Sequence, residues 1–454
     1  MPFYITSYII FSNNTLKDAV DLWCSRDTRA RAEMQYGHIS TWNTSQVTSM
    51  ARLFKDKKDF NDDIGMWDVS NVTTMDCIFY KAFKFNQPIG QWDVSQVTNM
   101  DNMFLAASSF NQPIGQWNVR KVTSMYCMFC RAASFNQPIG EWDVSNVSGS
   151  LFGMFYGATV FNQPIGGWSM SKVTDLNSMF YGASAFDQPI GQWDVSSVTD
   201  MNLMFRAASA FDQPIGQWDV SSVVDMSNMF QEALAFNQSI GQWNVSKVAN
   251  MSHMFYEALS FNQFIGQWDV GKVTAMSWMF YECLFFDQPI GQWDVSNVKN
   301  MRDMFHKASS FNQPIGLWDV SQVQTMARMF CQAESFNQPI GQWDVSTVSD
   351  MSSMFQGALM FNQFIGQWDV SSVINMRNML YEADSFWQPI GQWGVGNVEV
   401  LEELGGMDQE EDGVGGVTSL DSLFWDFSVY NEWRCEATIS KRILKTLDGN
   451  VWDI

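Results

Sequence analysis

The sequence has few basic residues and no long apolar run. It carries 26 Lys and Arg against 48 Asp and Glu, which gives a formal net charge of -22 at pH 7 and a pI near 4.4. Such a surface repels DNA and anionic membranes, so nucleic acid is not an expected partner. Because no run of 18 apolar residues occurs, no membrane-spanning helix is predicted.

Catalytic and cofactor motifs are also lacking. The three histidines, His38, His253 and His306, stand in three different contexts, none with a plausible nucleophile and orienting acid nearby. No phosphate-cradling GxxxxGK or GxGxxG motif occurs. We therefore expect a protein that is not an enzyme and that holds no cofactor and no metal.

What the sequence does have is a tandem repeat of 25 residues. The unit at 85–109 reads FNQPIGQWDVSQVTNMDNMFLAASS, and fifteen tryptophans from Trp42 to Trp393 stand in register. The one slip is an extra residue between Trp142 and Trp168. A fixed period of this length predicts a solenoid of about 15 coils over residues 42–398.

Each coil is predicted to contain a short strand and a short helix, which makes the fold class α/β. Pro88 and Gly90 break helices, so we expect an extended path with a strand at residues 89–92. Residues 98–107 are predicted to be a helix, and Thr98 and Asp101 fit a capping box at its start. The helical pattern is carried by Val97, Met100, Met103, Phe104 and Ala107.

Both ends of such a stack need caps, because a single coil cannot bury enough surface to fold alone. Residues 1–41 are predicted to be an N-terminal helical cap, with Leu16, Ala19 and Val20 on the covered side of its helix. We expect an acidic, glycine-rich loop at 399–416. Residues 417–454 are predicted to form a degenerate repeat and the C-terminal cap.

The repeat resembles that of the BspA-like leucine-rich-repeat surface proteins, in the 25-residue variant of mycoplasma lipoproteins and some microbial eukaryotes. The resemblance rests on the phrase WDVSxVTxMxxMF and on residues 19–50, and it covers about 1–398. It implies a right-handed solenoid similar to leucine-rich repeats, and a cell-surface or extracellular setting. The start, MPFYITSYIIFSNN, lacks the basic region of a signal peptide, which leaves an intracellular setting open.

Two polar positions repeat along the chain. Most tryptophans are followed by Asp, as at Asp93, but Asn43, Asn118 and Asn244 take the same place. Since Asn keeps the acceptor and loses the charge, we expect Asx-turns here, with stacked calcium-binding carboxylates as the alternative. The Asn and Asp residues after each Phe are likewise expected to bond locally, and the following glutamines to form an amide stack between coils.

The seven cysteines are odd in number and hold no common repeat position, which argues against a disulfide framework. Cys127 and Cys130 have CxxC spacing, but no second pair or histidine lies in that coil. We interpret them as small-residue substitutions, with a metal or redox role as the alternative.

The surface positions indicate the function. The residues after each Met-Phe pair vary between coils, whereas the glutamine before each Trp is nearly uniform. A uniform face suits a repetitive partner, so we predict a contact surface that includes Phe264 and Phe364, which replace the usual proline. Its other predicted members are Gln217, Gln242, Gln267 and Gln292. We expect an adhesion or protein/glycan interaction surface; the alternative is an intracellular or self-assembling scaffold.

Overall fold

The computed structural model describes residues 9–395 and 398. The chain divides into two compact units, Met1–Gln288 (unit 1) and Pro289–Ile454 (unit 2). The loop predicted at 399–416 and the C-terminal cap predicted at 417–454 lie outside the described residues.

Unit 1 begins with two helices. Helix α1 is Asn13–Cys24, capped by the Ser12 side chain, and helix α2 is Arg29–Tyr36. A short 3-10 helix, Ile39–Thr41, leads into the first coil. Helix α1 buries the apolar residues expected from the sequence, Leu16, Ala19, Val20 and Trp23. Neither helix, nor any other helix among the described residues, has the length and apolar character needed to cross a bilayer.

The helix predicted at 98–107 is wrong, because the chain there forms a run of β-turns. The amide of Met103 donates to the carbonyl of Met100 at 3.2 Å, and Asn102 between them has a φ of 55°. In the same way, the amide of Ala107 donates to the carbonyl of Phe104, and Ala106 between them has a φ of 57°. A positive φ at the third residue defines a type II turn. The capping box is absent too: the Thr98 hydroxyl donates to the Thr73 carbonyl.

The amides of these turns bond between coils rather than along the chain. The Asn102 N–H donates to the carbonyl of Tyr126 at 2.7 Å, and the Phe104 N–H to that of Met128 at 2.9 Å. Successive turns place residues i, i+3 and i+4 on one side, as a helix does, so the apolar spacing fits both structures. The pattern therefore identified the buried residues correctly and the backbone incorrectly.

The strand predicted at 89–92 is also wrong, since parallel pairing occurs about ten residues later in each coil. Single bridges link Ser49, Thr74, Asn99 and Ser124 in sequence. The described residues contain two regular strands, β1 (Gly149–Ser150) and β2 (Val173–Asp175), which pair in parallel with a register shift. That shift lies in the coil that contains the extra residue. The repeat solenoid stands, but its coils are made of turns and single bridges instead of a strand and a helix.

The core of each unit consists of columns of aromatic rings. In unit 1, Phe79 stacks on Phe104 in the next coil with 5.5 Å between ring centroids, and on Phe85 in its own coil at 3.8 Å. Trp117 and Trp142 stack at 6.4 Å. Unit 2 repeats the arrangement within itself, for example between Phe305 and Phe330 at 5.6 Å. These columns hold successive coils in register.

Candidate interaction surface

One face of the coils is formed by the Pro-Ile-Gly-Gln segment before each tryptophan; we call its exposed strip the Pro–Gly–Gln face. In the coil at 85–109 it consists of Pro88, Gly90 and Gln91. Pro88 and Gln91 are exposed, whereas Ile89 between them is fully buried. The chain thus turns one apolar side chain inward and presents proline and glutamine to solvent.

Glycine in this segment is required by the next coil. A Cβ added at Gly90 would lie closer than 3.0 Å to the carbonyl oxygen of Pro113, and the same holds for Gly115 against Pro138. Since that neighbour is backbone, it cannot move aside. The missing side chains leave a flat floor between the prolines and the glutamines.

In unit 1 this floor forms a groove of about 690 Å³ along successive coils. Among its lining residues the one charged side chain is that of Glu141. The lining comprises Pro88, Gly90, Gln91, Pro113, Gly115, Gln116, Pro138, Gly140, Glu141, Pro164, Gly166, Gly167 and Pro189. Unit 2 has a similar groove of about 420 Å³ of its own, from Pro289 to Gln342.

All six residues of the predicted contact surface are exposed on the Pro–Gly–Gln faces. In unit 1, Phe264 is 44% exposed and its Cδ1 lies beside Gly241. In unit 2, Phe364 is 42% exposed. The glutamines Gln217, Gln242 and Gln267 follow one another on three coils of unit 1, while Gln292 belongs to unit 2. Their role in contact stays a prediction.

The aspartates after the tryptophans form Asx-turns, as predicted. The Ser95 amide donates to Oδ1 of Asp93 at 3.0 Å, and the same bond joins Ser221 to Asp219. Hydrogen bonds from the serine side chain and backbone hold the pKa of Asp93 below its usual value. Each of these carboxylates therefore stabilises the turn in which it lies.

The ladder after each Phe bonds between coils rather than locally, so that expectation was wrong. The Asn111 amide donates to Oδ1 of Asn86 at 2.9 Å, and the Asp212 amide donates in the same way to Asp187. Gln112 adds a bond from its Nε2 to the carbonyl of Asn86 at 3.0 Å. The glutamines do bond between coils, as predicted, but their acceptors are the Asn or Asp of the preceding coil, such as Asn86 for Gln112 and Asp187 for Gln213.

A second surface, which sequence reasoning treated as a helix side, lies on the β-turns after each Met-Phe pair; we call it the turn face. In unit 1, Tyr156 and Tyr181 stack there at 4.4 Å. The Arg131 guanidinium lies 5.5 Å from the Tyr156 ring, and that of Arg206 lies 5.1 Å from Tyr181. Burial raises the pKa of Tyr181. In the sequence, this face is indicated by the residues after each Met-Phe pair, which differ from coil to coil.

In unit 2 the turn face holds an ionic cluster around Asp303, which is 1% exposed. Its carboxylate accepts from Nε of Arg328 at 2.8 Å and lies 3.1 Å from Nδ1 of His306. Burial pushes the pKa of Asp303 up, but the bonds to His306 and Arg328 outweigh it and keep that pKa low. His306, one of the three histidines of the sequence, is thus a neighbour of the Asp303–Arg328 ion pair.

Comparison with solved structures returns a likeness to the chain in the "Crystal structure of TLR13-ssRNA13 complex". The identity is 7% and the TM-score 0.23, over 84% of this chain and 52% of that one. A similarity this low carries no argument about fold or function, and the chain spans about half the length of that relative. No curated protein sequence matches the chain.

The family comparison is decisive. One family model matches six overlapping stretches, at residues 28–100, 88–187, 149–266, 237–335, 260–363 and 314–406. Together they cover most of the sequence, including every tryptophan of the repeat. The chain belongs to the family described as "Mycoplasma protein of unknown function, DUF285".

Proposed function

We propose that this chain is a non-enzymatic binding protein whose Pro–Gly–Gln face in unit 1 holds an extended, uncharged glycan. The observation that carries the proposal is the groove itself. It offers the same proline, glycine and glutamine chemistry at successive coils, with Glu141 as the one charged side chain in its lining. A surface that repeats one chemistry suits a partner that repeats one unit.

The groups in the groove suit sugars. The glutamine amides of Gln91 and Gln116 both donate and accept hydrogen bonds, as sugar hydroxyls do. The proline rings and glycine backbone supply C–H surface against which the apolar side of a sugar ring can pack. Phe264 adds an exposed aromatic ring at the same position of a later coil in unit 1.

Charge argues for a neutral partner. The chain carries a formal net charge of -22, so an acidic polymer is repelled at long range. A basic polymer would be attracted to the acidic surface in general rather than to this groove. Binding of an uncharged polymer therefore depends on the groove and not on the charge of the remaining surface.

The resemblance to BspA-like surface proteins supports an extracellular setting, where glycans are abundant and adhesion is the natural role.

The histidines are already engaged in contacts that favour a structural use. The ring of His38 bonds to Ser40 at 2.8 Å, that of His253 stacks on Trp278 at 4.8 Å, and His306 pairs with Asp303.

The test is co-sedimentation with insoluble polysaccharides, using cellulose, chitin and β-1,3-glucan as neutral probes and alginate gel as an acidic one. We expect binding to at least one neutral probe and none to alginate. The double variant Gln91→Glu and Gln116→Glu should weaken that binding at least tenfold, because it removes amide donors from the groove. Glutamate occurs naturally at this position as Glu141, so the fold accepts it.

The matched control is Gln46→Glu with Gln96→Glu. It adds the same charge at exposed positions that do not line the groove, and it should bind like the unaltered protein. Equal loss in both variants would assign binding to net charge and contradict the proposal. Failure to bind any neutral probe would contradict it as well.

Self-assembly is the second candidate, and the exposed phenylalanines favour it. Phe264 in unit 1 and Phe364 in unit 2 stand on the Pro–Gly–Gln faces of their units. Sedimentation velocity should show association that increases with concentration. Phe264→Pro with Phe364→Pro, which restores the usual residue of the repeat, should abolish that association.

A further inference from the structure

Two cysteines of unit 1 are brought together by one turn of the turn face. The Cys130 amide donates to the carbonyl of Cys127 at 3.1 Å, so the two cysteines are the first and last residues of this turn. The ends of a β-turn lie within about 7 Å of each other at Cα. Disulfides need a Cα separation of about 4.4–6.8 Å, so the turn holds this pair in a range suited to a bond.

The neighbouring coil leaves room beside the pair. Gly153 occupies the position where other coils carry Asn102 or Leu203, and a Cβ there would lie 3.0 Å from the sulfur of Cys127. Cys127 and Cys130 are 6% and 9% exposed, which places them just below the surface. The missing side chain leaves space beside the Cys127 sulfur.

The series of parallel bridges also changes here. Bridges run from Ser49 to Ser124 and resume from Gly149 onward, and within the described residues no bridge joins Ser124 to the next coil. Gly149, with a φ of 81°, lies in the coil that contains the extra residue. The turn with the two cysteines therefore lies beside this irregular coil, to which it stays bonded through the Cys127 amide and the Phe152 carbonyl at 3.0 Å.

The two thiols are chemically unequal. Interaction with the Cys127 thiol and the nearby Arg131 charge keep the pKa of Cys130 below its usual value, while the pKa of Cys127 is raised. Among the other described cysteines, burial raises the pKa of Cys24 to about 12 and that of Cys331 to about 11. Thiol–disulfide exchange needs a thiolate, which Cys130 supplies most readily.

We propose that Cys127 and Cys130 form a reversible redox-modification site that reacts with low-molecular-weight disulfides. The Cys130 thiolate attacks the disulfide, forms a mixed disulfide and releases one thiol. Cys127 then loses its proton and attacks the Cys130 sulfur, which releases the second thiol and closes the protein disulfide. Two protein thiols are oxidised and one small disulfide is reduced to two thiols.

Formation of this bond would fix the turn that directly precedes Arg131. The Arg131 guanidinium lies over Tyr156, so oxidation acts at one end of the stack formed with Tyr181 and Arg206. The site is independent of the groove on the Pro–Gly–Gln face, whose lining includes neither cysteine.

The test equilibrates the reduced full chain with glutathione disulfide, quenches with acid, alkylates remaining thiols and digests with trypsin. Cleavage after Lys121 and Arg131 gives residues 122–131 with both cysteines and no others. We expect this peptide two mass units lighter and without alkyl groups. Cys24, Cys77, Cys283 and Cys331 should stay alkylated.

Single variants separate the two roles. Cys127→Ser should stop at the mixed disulfide, with glutathione retained on Cys130, while Cys130→Ser should react at least tenfold more slowly. If the native protein keeps both cysteines alkylated after equilibration in glutathione disulfide, the proposal is wrong. Glutathione held on the unaltered protein without closure of the ring would also overturn it.

Discussion

Each tryptophan of the repeat combines two interactions. The ring of Trp218 stacks on Trp193 at 6.4 Å, and its indole N–H donates to the carbonyl of Ile190 at 3.1 Å. The residue is 4% exposed. The column therefore satisfies its one polar group through the preceding coil while it buries the largest side chain of the coil.

Trp218→Ala should destabilise unit 1 by about 3–5 kcal/mol, because it leaves a cavity and removes the hydrogen bond from the indole to the Ile190 carbonyl. Urea denaturation followed by circular dichroism measures the change. Gln217→Ala, at the exposed neighbour, is the control and should alter stability little. A Trp218→Ala protein that melted like the unaltered chain would contradict the inward position of this column.

A column of aspartates in unit 1, in contrast, brings like charges close together. Asp175, Asp200 and Asp225 pair side by side on successive coils. Burial, followed by repulsion from its two neighbours, raises the pKa of Asp200. The folded state then binds its proton more tightly than the unfolded state, so stability falls as pH rises from the ordinary aspartate pKa through the raised one.

Asp200→Asn should therefore stabilise the fold at neutral pH, by roughly 0.2–1 kcal/mol, the cost of like charges on paired strands. Asn250 occupies the same position naturally, and the acceptor for the Asn202 amide is retained. Thermal melts at pH 7 and pH 3.5 measure the effect. The gain should shrink at the acid pH; a gain of equal size at both would assign it to something other than charge.

At the scale of the coil, the sequence predicted burial well and backbone poorly. Val97, Met100, Met103 and Phe104 are buried as expected, yet they lie on turns. What the apolar period cannot reveal is the left-handed backbone at Asn102 and Ala106, since neither residue type demands it. Bonds to the next coil offset that cost, and these depend on stacking, which a single repeat does not display.

The contact surface was also predictable only in part, because exposure can be read from one repeat whereas contacts between coils cannot. The exposed glutamines and Phe264 follow from the alternation with buried Ile and Trp. The groove does not, because it depends on the approach of the next coil's carbonyl to Gly90. The nearness of Cys127 and Cys130 fits both interpretations, because residues i and i+3 are neighbours on a helix and are also the two ends of a turn.

Two adjacent glycines test the close approach of coils. Gly166→Ala should destabilise by about 1–3 kcal/mol, because its new Cβ meets the carbonyl of Pro189 and overpacks the contact. Gly167→Ala is the matched control: a Cβ there has no atom within 4 Å. It should be neutral or stabilising by up to about 1 kcal/mol. Chemical denaturation of both variants gives the comparison, and equal losses would refute the explanation.

At the scale of the whole stack, the period itself is testable. Deleting residues 193–217 joins Gln192 to Trp218 and removes one period of unit 1. Because each coil contacts chiefly its neighbours, the shortened chain should still fold, with a modest fall in melting temperature. Circular dichroism and resistance to protease measure this.

The control deletion removes residues 193–204, about half a period, and joins Gln192 to Phe205. It places polar positions opposite the aromatic columns and should abolish cooperative melting. If both deletions behaved alike, the coils would not be interchangeable units.

The bonds of the turn face have a direction. Amides of one coil donate to carbonyls of the next, from Asn102 to Tyr126 and again from Asn228 to Ser252. On the turn face, the side of a coil that meets the preceding coil thus offers acceptors, and the side that meets the next coil offers donors. Two copies brought together at like sides would oppose carbonyl to carbonyl, whereas unlike sides complement each other. End-to-end growth of such a stack would be polar, like that of a filament with distinct ends, and never a closed two-fold pair. Helix α1 lies at the first coil of unit 1, where Oδ1 of Asn13 accepts from the Thr48 and Ser49 amides, and it thereby closes that end to addition.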